Sequence, residues 1–296
     1  MKLARIIVLL SFLVFPVAFF AYGDHSMIGP ATSATTETRT EKLTSKLMAR
    51  DLSYRVVLPV GYSEKMNETK RYPVIYLLHG LTGSHANWTE RTKLSEYAAK
   101  YSMIIITPEG ENGWYTDGVT NDNDKYESYI IKELIPEVDT KFRTLSDRKG
   151  RAIAGLSMGG YGAIKFGLKY PEMFVIAGSF SGALGAASFT GAAPNAAGLA
   201  SIARIFGPPG SETRKANDIF QMIRDMTPEK IKALPFLYVD CGTDDFLFQN
   251  NREFVELLIS KRIPHEYRQL PGGHTWIYWD KQVQEFLRVS SRIFSS

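Results

Sequence analysis

A short apolar run, Ala152 to Ala154, enters Gly155-Leu156-Ser157-Met158-Gly159, and a helical pattern follows from Tyr161 to Leu168. Strand, G-x-S-x-G and helix in that order predict a nucleophile elbow, which needs a buried strand on one side and a helix N-terminus on the other. The turn is tight enough that a Cβ at Gly155 or Gly159 would strike neighbouring backbone. Ser157 is thereby lifted to the top of a sheet. It lies beside free helix N–H groups that favour a negative oxygen. Few architectures satisfy these demands, so the remaining chain is read against them.

The chain of 296 residues is long enough for one large α/β domain or two small ones. Val74 to Leu78, Met103 to Ile106, Val175 to Phe180 and Phe236 to Cys241 are further apolar runs, as expected of strands buried on both faces. Helical patterns separate them at Lys93 to Tyr101, Lys125 to Lys141 (with a bend expected at Pro136) and Phe246 to Lys261. His265 to Leu270 is the last expected strand and Trp276 to Phe294 the closing helix. Thr38 to Leu47 and Ser53 to Leu58 alternate in polarity and predict an opening hairpin. Strands alternating with helices imply a mostly parallel sheet covered on both faces. Residues 183–234 break the rhythm. Ala183 to Ala200 is rich in small residues, and Ser201 to Phe206 and Glu212 to Met226 look helical, so a small helical insertion is expected there.

The N-terminus reads as an export segment. Lys2 and Arg5 precede an apolar stretch from Ile6 to Phe20, and Ala21-Tyr22-Gly23 offers small residues for cleavage before Asp24. A retained anchor is the alternative, but the run is short for a span and contains Pro16. The expected organisation is a signal peptide at 1–23, a flexible linker at 24–36 and a single domain at 37–296. The expected location is secreted or periplasmic, without membrane attachment once the leader is gone. A net charge of +4 without a basic cluster gives no reason to expect nucleic acid as a partner. The single cysteine, Cys241, excludes an intramolecular disulfide and a multi-cysteine zinc site.

A serine nucleophile needs a base, and the base needs a carboxylate to hold its tautomer. In α/β-hydrolases the chain order is serine, acid, histidine. Of the five histidines only His265 and His274 come late enough. His265 opens a strand, whereas His274 follows Pro271-Gly272-Gly273 in a loop between the last strand and the last helix, where a base can reach Ser157. Asp240 lies within a strand run and reads as structural. Asp244 and Asp245 lie just beyond that strand; one is expected to cap the following helix and the other to orient the base, and these residues alone do not choose. The oxyanion donors should be the N–H groups of Met158 and of Leu81, which follows Gly80 in the loop after Val74 to Leu78. His79 and His85 lack an accompanying carboxylate cluster in the sequence, so no metal site is expected.

Leu78-His79-Gly80-Leu81, Trp114-Tyr115-Thr116, Ala154 to Ala163, Ser179-Phe180-Ser181-Gly182, Cys241 to Leu247 and Gly273-His274 together resemble an esterase family of α/β-hydrolases. That family includes S-formylglutathione hydrolase (esterase D), tributyrin esterases, feruloyl esterases and, more distantly, mycolyltransferases. The resemblance spans nearly the whole chain after the leader. It implies Asp245 as the acid, Leu81 and Met158 as oxyanion donors, Trp114 as a lining residue of the acyl or alcohol pocket, and no metal or organic cofactor. It implies a serine carboxylic ester hydrolase acting on small acyl or aryl esters. The alternatives are acyl transfer to a sugar alcohol, thioester hydrolysis of the S-formylglutathione type, and a non-catalytic binding protein. Retention of every triad member argues against the last. An exported chain fits poorly with a glutathione thioester, which is found in the cytosol.

Overall fold

The continuous apolar runs become the centre of one eight-stranded sheet. A computed structural model describes residues 35–190 and 196–296. The expected signal peptide and residues 24–34 of the expected linker lie outside the described residues. The strands are β1 (Glu37–Ser45), β2 (Arg50–Leu58), β3 (Val74–Leu78), β4 (Ile104–Pro108), β5 (Arg151–Leu156), β6 (Ile176–Phe180), β7 (Phe236–Gly242) and β8 (His265–Leu270). Their spatial order is β1-β2-β4-β3-β5-β6-β7-β8. β1 and β2 form the antiparallel hairpin, β2 pairs antiparallel with β4, and every other pairing is parallel.

Side chains of one strand alternate between two core layers because successive Cβ atoms point to opposite faces. Val74, Tyr76 and Leu78 join one layer while Ile75 and Leu77 join the other; Ile153 and its neighbours Ala152 and Ala154 divide the same way. Each fully buried aliphatic side chain contributes about 1.5–3 kcal/mol by leaving water. The helices that cover these faces are α1 (Asn87–Arg91), α2 (Leu94–Ala98), α3 (Tyr126–Ser128), α4 (Ile135–Lys141), α5 (Met158–Lys169), α6 (Ala196–Phe206), α7 (Glu212–Asn217), α8 (Ile219–Arg224), α9 (Pro228–Ala233), α10 (Phe248–Ser260) and α11 (Trp276–Phe294). Among the described residues, no helix is long and apolar enough to cross a membrane.

Several elements differ from expectation, each for a local reason. The helix expected at Lys125 to Lys141 is α3 and α4 joined by a π-helical stretch, Tyr129–Leu134. Pro136, which has no N–H to donate, stands in the first turn of α4, just after that wider coil. The π segment carries Glu133, whose carboxylate accepts from Ser45 and from the amides of Lys46 and Leu47, fixing the β1–β2 turn. Glu212 to Met226 is two helices, because the Asp218 side chain accepts from the amides of Phe220 and Gln221 and starts α8 afresh. α1 begins at Asn87, at the end of the loop that follows Val74 to Leu78. α6 to α9 all lie between β6 and β7, within 183–234, and no strand is found among the described residues of that segment.

Candidate active site

The three parallel strands β5, β7 and β8 deliver three side chains to the same end of the sheet. Ser157 occupies the one residue between β5 and α5, with φ 53° and ψ −116°. Its backbone is held on both sides: its N–H donates to Phe180 O (2.9 Å) and its carbonyl accepts from Ala183 N (3.0 Å) and Tyr161 N (3.1 Å). The close approach that fixes this turn is visible at Gly159, where an added Cβ would lie 2.6 Å from the carbonyl oxygens of both Leu78 and His79.

Asp245 follows β7 and His274 follows β8. Their two loops are stitched together: Thr243 N donates to Leu270 O and Asp244 N to Gly272 O, both at 2.9 Å. A Cβ on Gly242 would meet Gly272 O at 2.1 Å, so the loops pack closer than any other residue there permits. The result is a hydrogen-bonded line of three groups. Asp245 Oδ2 lies 2.9 Å from His274 Nδ1, and His274 Nε2 lies 3.0 Å from Ser157 Oγ. A carboxylate can only accept, so Nδ1 carries the proton and Nε2 is left to accept from the serine hydroxyl. The Asp245 side chain is 0 % exposed, and its other oxygen accepts from Leu247 N (2.8 Å). Burial alone would raise the Asp245 pKa. The hydrogen bond and charge of His274 and the Leu247 amide outweigh it, so the carboxyl is held below its ordinary value.

His274 is also clamped by rings. Phe246 lies 4.6 Å from it, centroid to centroid, and Trp279 meets it edge-on at 4.9 Å. Phe246 is nevertheless 63 % exposed, an apolar wall facing solvent beside His274.

A cavity of about 320 Å³ opens over Ser157 and is walled by Gly80, Leu81, His274, Trp276 and Trp279, among others. The Met158 amide is the first of α5 and has no acceptor within its own helix. Among the described residues neither Met158 N nor Leu81 N donates a hydrogen bond. The loop carrying Leu81 is tied down by a cluster invisible in the sequence. His79 Nδ1 donates to Gly80 O (2.7 Å), and Glu109 bridges His79 Nε2 (3.1 Å) and His85 Nδ1 (2.9 Å). Burial opposes ionisation of Glu109, but the two histidines and the Glu111 amide hold its carboxyl well below the usual range. Glu109 follows β4, thirty residues from His79, and only the parallel β3–β4 pairing brings them together. Among the described residues, no group of three or more His, Cys, Asp or Glu side chains could hold a metal ion.

Two expected placements differ. Trp114 is not brought into the cavity over Ser157. Its ring is 5 % exposed, packed against Tyr161 and Phe206, and its N–H donates to Ser201 Oγ (2.9 Å), because α6 closes over it. Neither Asp244 nor Asp245 caps α10, because that helix starts at Phe248, two residues later than its apolar pattern suggests, with Leu247 at the cap position and no side-chain cap bond. His265 Nδ1 donates to Ile263 O (2.8 Å), at the outer strand of the sheet.

The fold and the elbow define an α/β-hydrolase. The family described as "Putative esterase" matches residues 45–288, and the chain belongs to it. It is similar to an acetyl esterase of Caldicellulosiruptor saccharolyticus, 31% identical, with 84% of this chain and 96% of that protein covered. Among solved structures, a ferulic acid esterase superposes with a TM-score of 0.75 at 30% identity, covering 88% of this chain and 98% of that one. A fluorophosphonate-binding serine hydrolase F of Staphylococcus aureus superposes with a TM-score of 0.79 at 26% identity, covering 86% and 98%. This chain is accordingly a carboxylic ester hydrolase.

Proposed function

We propose that the chain hydrolyses small acyl or aryl esters through an acyl-enzyme on Ser157, outside the cytoplasm. The observation that carries this reading is the continuous hydrogen-bonded line from Asp245 through His274 to Ser157, at 2.9 and 3.0 Å. Ser157 Oγ attacks the ester carbonyl as its proton passes to His274 Nε2. Asp245 stabilises the imidazolium that forms. The carbonyl oxygen, now negative, is held by the N–H groups of Met158 and Leu81; removing one such donor in a comparable site costs about 10²–10³ in turnover. The intermediate collapses, the C–O bond to the alcohol breaks, and His274 returns its proton to the leaving oxygen. Water then repeats the sequence: His274 takes its proton as the water oxygen adds to the acyl carbon, the bond from that carbon to Ser157 Oγ breaks, and His274 returns the proton to Oγ as the carboxylic acid leaves.

The cavity volume, about 320 Å³, suits a small ligand. Likeness to an acetyl esterase and a ferulic acid esterase supports acetyl or aryl acyl groups. The basic, apolar and small-residue order of residues 2–23 supports export, tested by N-terminal sequencing of protein recovered outside the cytoplasm, which should begin at Asp24. The chemistry is tested with p-nitrophenyl esters from acetate to palmitate, methyl ferulate and S-formylglutathione, alongside a fluorophosphonate probe. Ser157→Ala should lose nearly all turnover and all labelling while staying folded. Turnover near the wild-type value in that variant would remove Ser157 from the mechanism.

A further inference from the structure

The same cavity has an unbalanced charge. Its described lining includes Arg91 and Asn87 and no Asp or Glu. Arg91 is exposed at the end of α1 and has no carboxylate partner among the described residues. The adjacent acid is already committed, since Glu90 pairs with Arg55 at 2.5 Å. What steadies Arg91 is a ring: its guanidinium carbon lies 5.9 Å from the centroid of Trp276, itself a wall of the cavity. A cation–π contact at this outer range leaves the guanidinium N–H donors free.

Asn87 points the same way chemically. Its Oδ1 accepts from Ser84 N (2.9 Å), which assigns the amide orientation and leaves its NH₂ without a partner among the described residues. The plain role of Arg91, a cation at a helix C-terminus, is weak here because α1 has only five residues. A guanidinium and an amide NH₂, with no acid in the cavity lining, are complementary to an anion.

We propose that Arg91 and Asn87 form an anion-accepting subsite, and that the preferred ester carries a carboxylate or comparable negative group on its acyl or alcohol portion. This inference rests on the ester-hydrolase reading of Ser157. The anionic group lies along the Trp276 face and takes hydrogen bonds from the guanidinium, while the ester carbonyl reaches Ser157 in the same cavity. The site therefore selects by charge as well as by size.

The test uses two matched substrate pairs. p-Nitrophenyl hemisuccinate against p-nitrophenyl butyrate places the charge on the acyl side. 4-Acetoxybenzoate against its methyl ester places it on the alcohol side. The readout is the anionic-to-neutral ratio of kcat/KM. In Arg91→Gln that ratio should fall about fivefold or more for at least one pair, with Arg91→Lys keeping part of it. Added salt should compress the same ratio in the wild-type enzyme, a measurement that needs no variant. Ratios insensitive to both Arg91→Gln and salt, in both pairs, would overturn the subsite. If Ser157→Ala hydrolysed these esters at the wild-type rate, the nucleophile assignment would fail instead, so the two failures are distinguishable.

Discussion

Replacing Asp245 with asparagine tests the base through its proton. One carboxylate oxygen accepts from Leu247 N at 2.8 Å and the other faces His274 Nδ1 at 2.9 Å. In Asp245→Asn the amide oxygen keeps the Leu247 bond, because only an oxygen can accept there. The NH₂ group is then turned toward His274 Nδ1. Two donors cannot share that contact, so the ring moves its proton to Nε2, which points at Ser157 Oγ. The base is thereby occupied in its resting state. In the serine-protease example the same change costs about 10⁴ in turnover, which corresponds to about 5 kcal/mol of barrier. Asp244 supplies the control. It is exposed, its side chain makes no hydrogen bond or ion pair among the described residues, and it caps no helix. Asp244→Asn should leave turnover near wild type and change stability by no more than about 0.5 kcal/mol. The assay is kcat for p-nitrophenyl acetate with the melting temperature of each variant. A folded Asp245→Asn enzyme within tenfold of wild type would refute the tautomer reasoning, and so would loss of activity in Asp244→Asn instead.

Two further outcomes concern the support beneath the site. Glu127 is ion-paired with Lys165 (2.7 Å) and Lys169 (2.5 Å) and accepts from Tyr170 OH; burial opposes its ionisation, but the two lysines win and bring its pKa from 4.5 to about 2. That stability is present above pH 4.5 and is lost as pH falls toward 2. Glu127→Gln should be destabilised at pH 7 by about 3–5 kcal/mol and should flatten the urea midpoint between pH 4.5 and 2; parallel curves for variant and wild type would contradict it. Cys241 is fully buried in β7, and burial pushes its thiol pKa far up. Cys241→Ala should keep its turnover and lose about 1 kcal/mol, and rapid thiol labelling of the native enzyme would show the residue misread.

Legibility followed the range of each interaction. The buried strands could be read because an all-apolar run such as Val74 to Leu78 has one plausible fate, and the elbow because its glycines are demanded by backbone contact. The positions of Ser157 and His274 relative to strand ends could be read for the same reason. Glu109 could not, because its link to His79 and His85 depends on β3 and β4 lying side by side, which no local pattern encodes. A clue was present: an acid directly after a buried strand, at the end of the sheet where Ser157 lies. The burial of Trp114 depended on where α6 settles, and that helix has a weak signal in a run of alanine and glycine. The break of Glu212 to Met226 at Asp218 was readable as a cap but was masked by apolar spacing that continues through it. Choosing between Asp244 and Asp245 needed the family resemblance, since adjacent residues on one loop differ only in direction.

The backbone of Ser157 has a further consequence. A non-glycine residue at φ 53° and ψ −116° sits where a side chain is poorly accommodated, at a cost of about 1–3 kcal/mol. Glycine would hold that geometry at ease. Thermal tolerance and turnover thus pull in opposite directions at a single codon. If Ser157 carries the acyl group as proposed, a selection that rewarded heat resistance alone would favour Ser157→Gly at the expense of turnover.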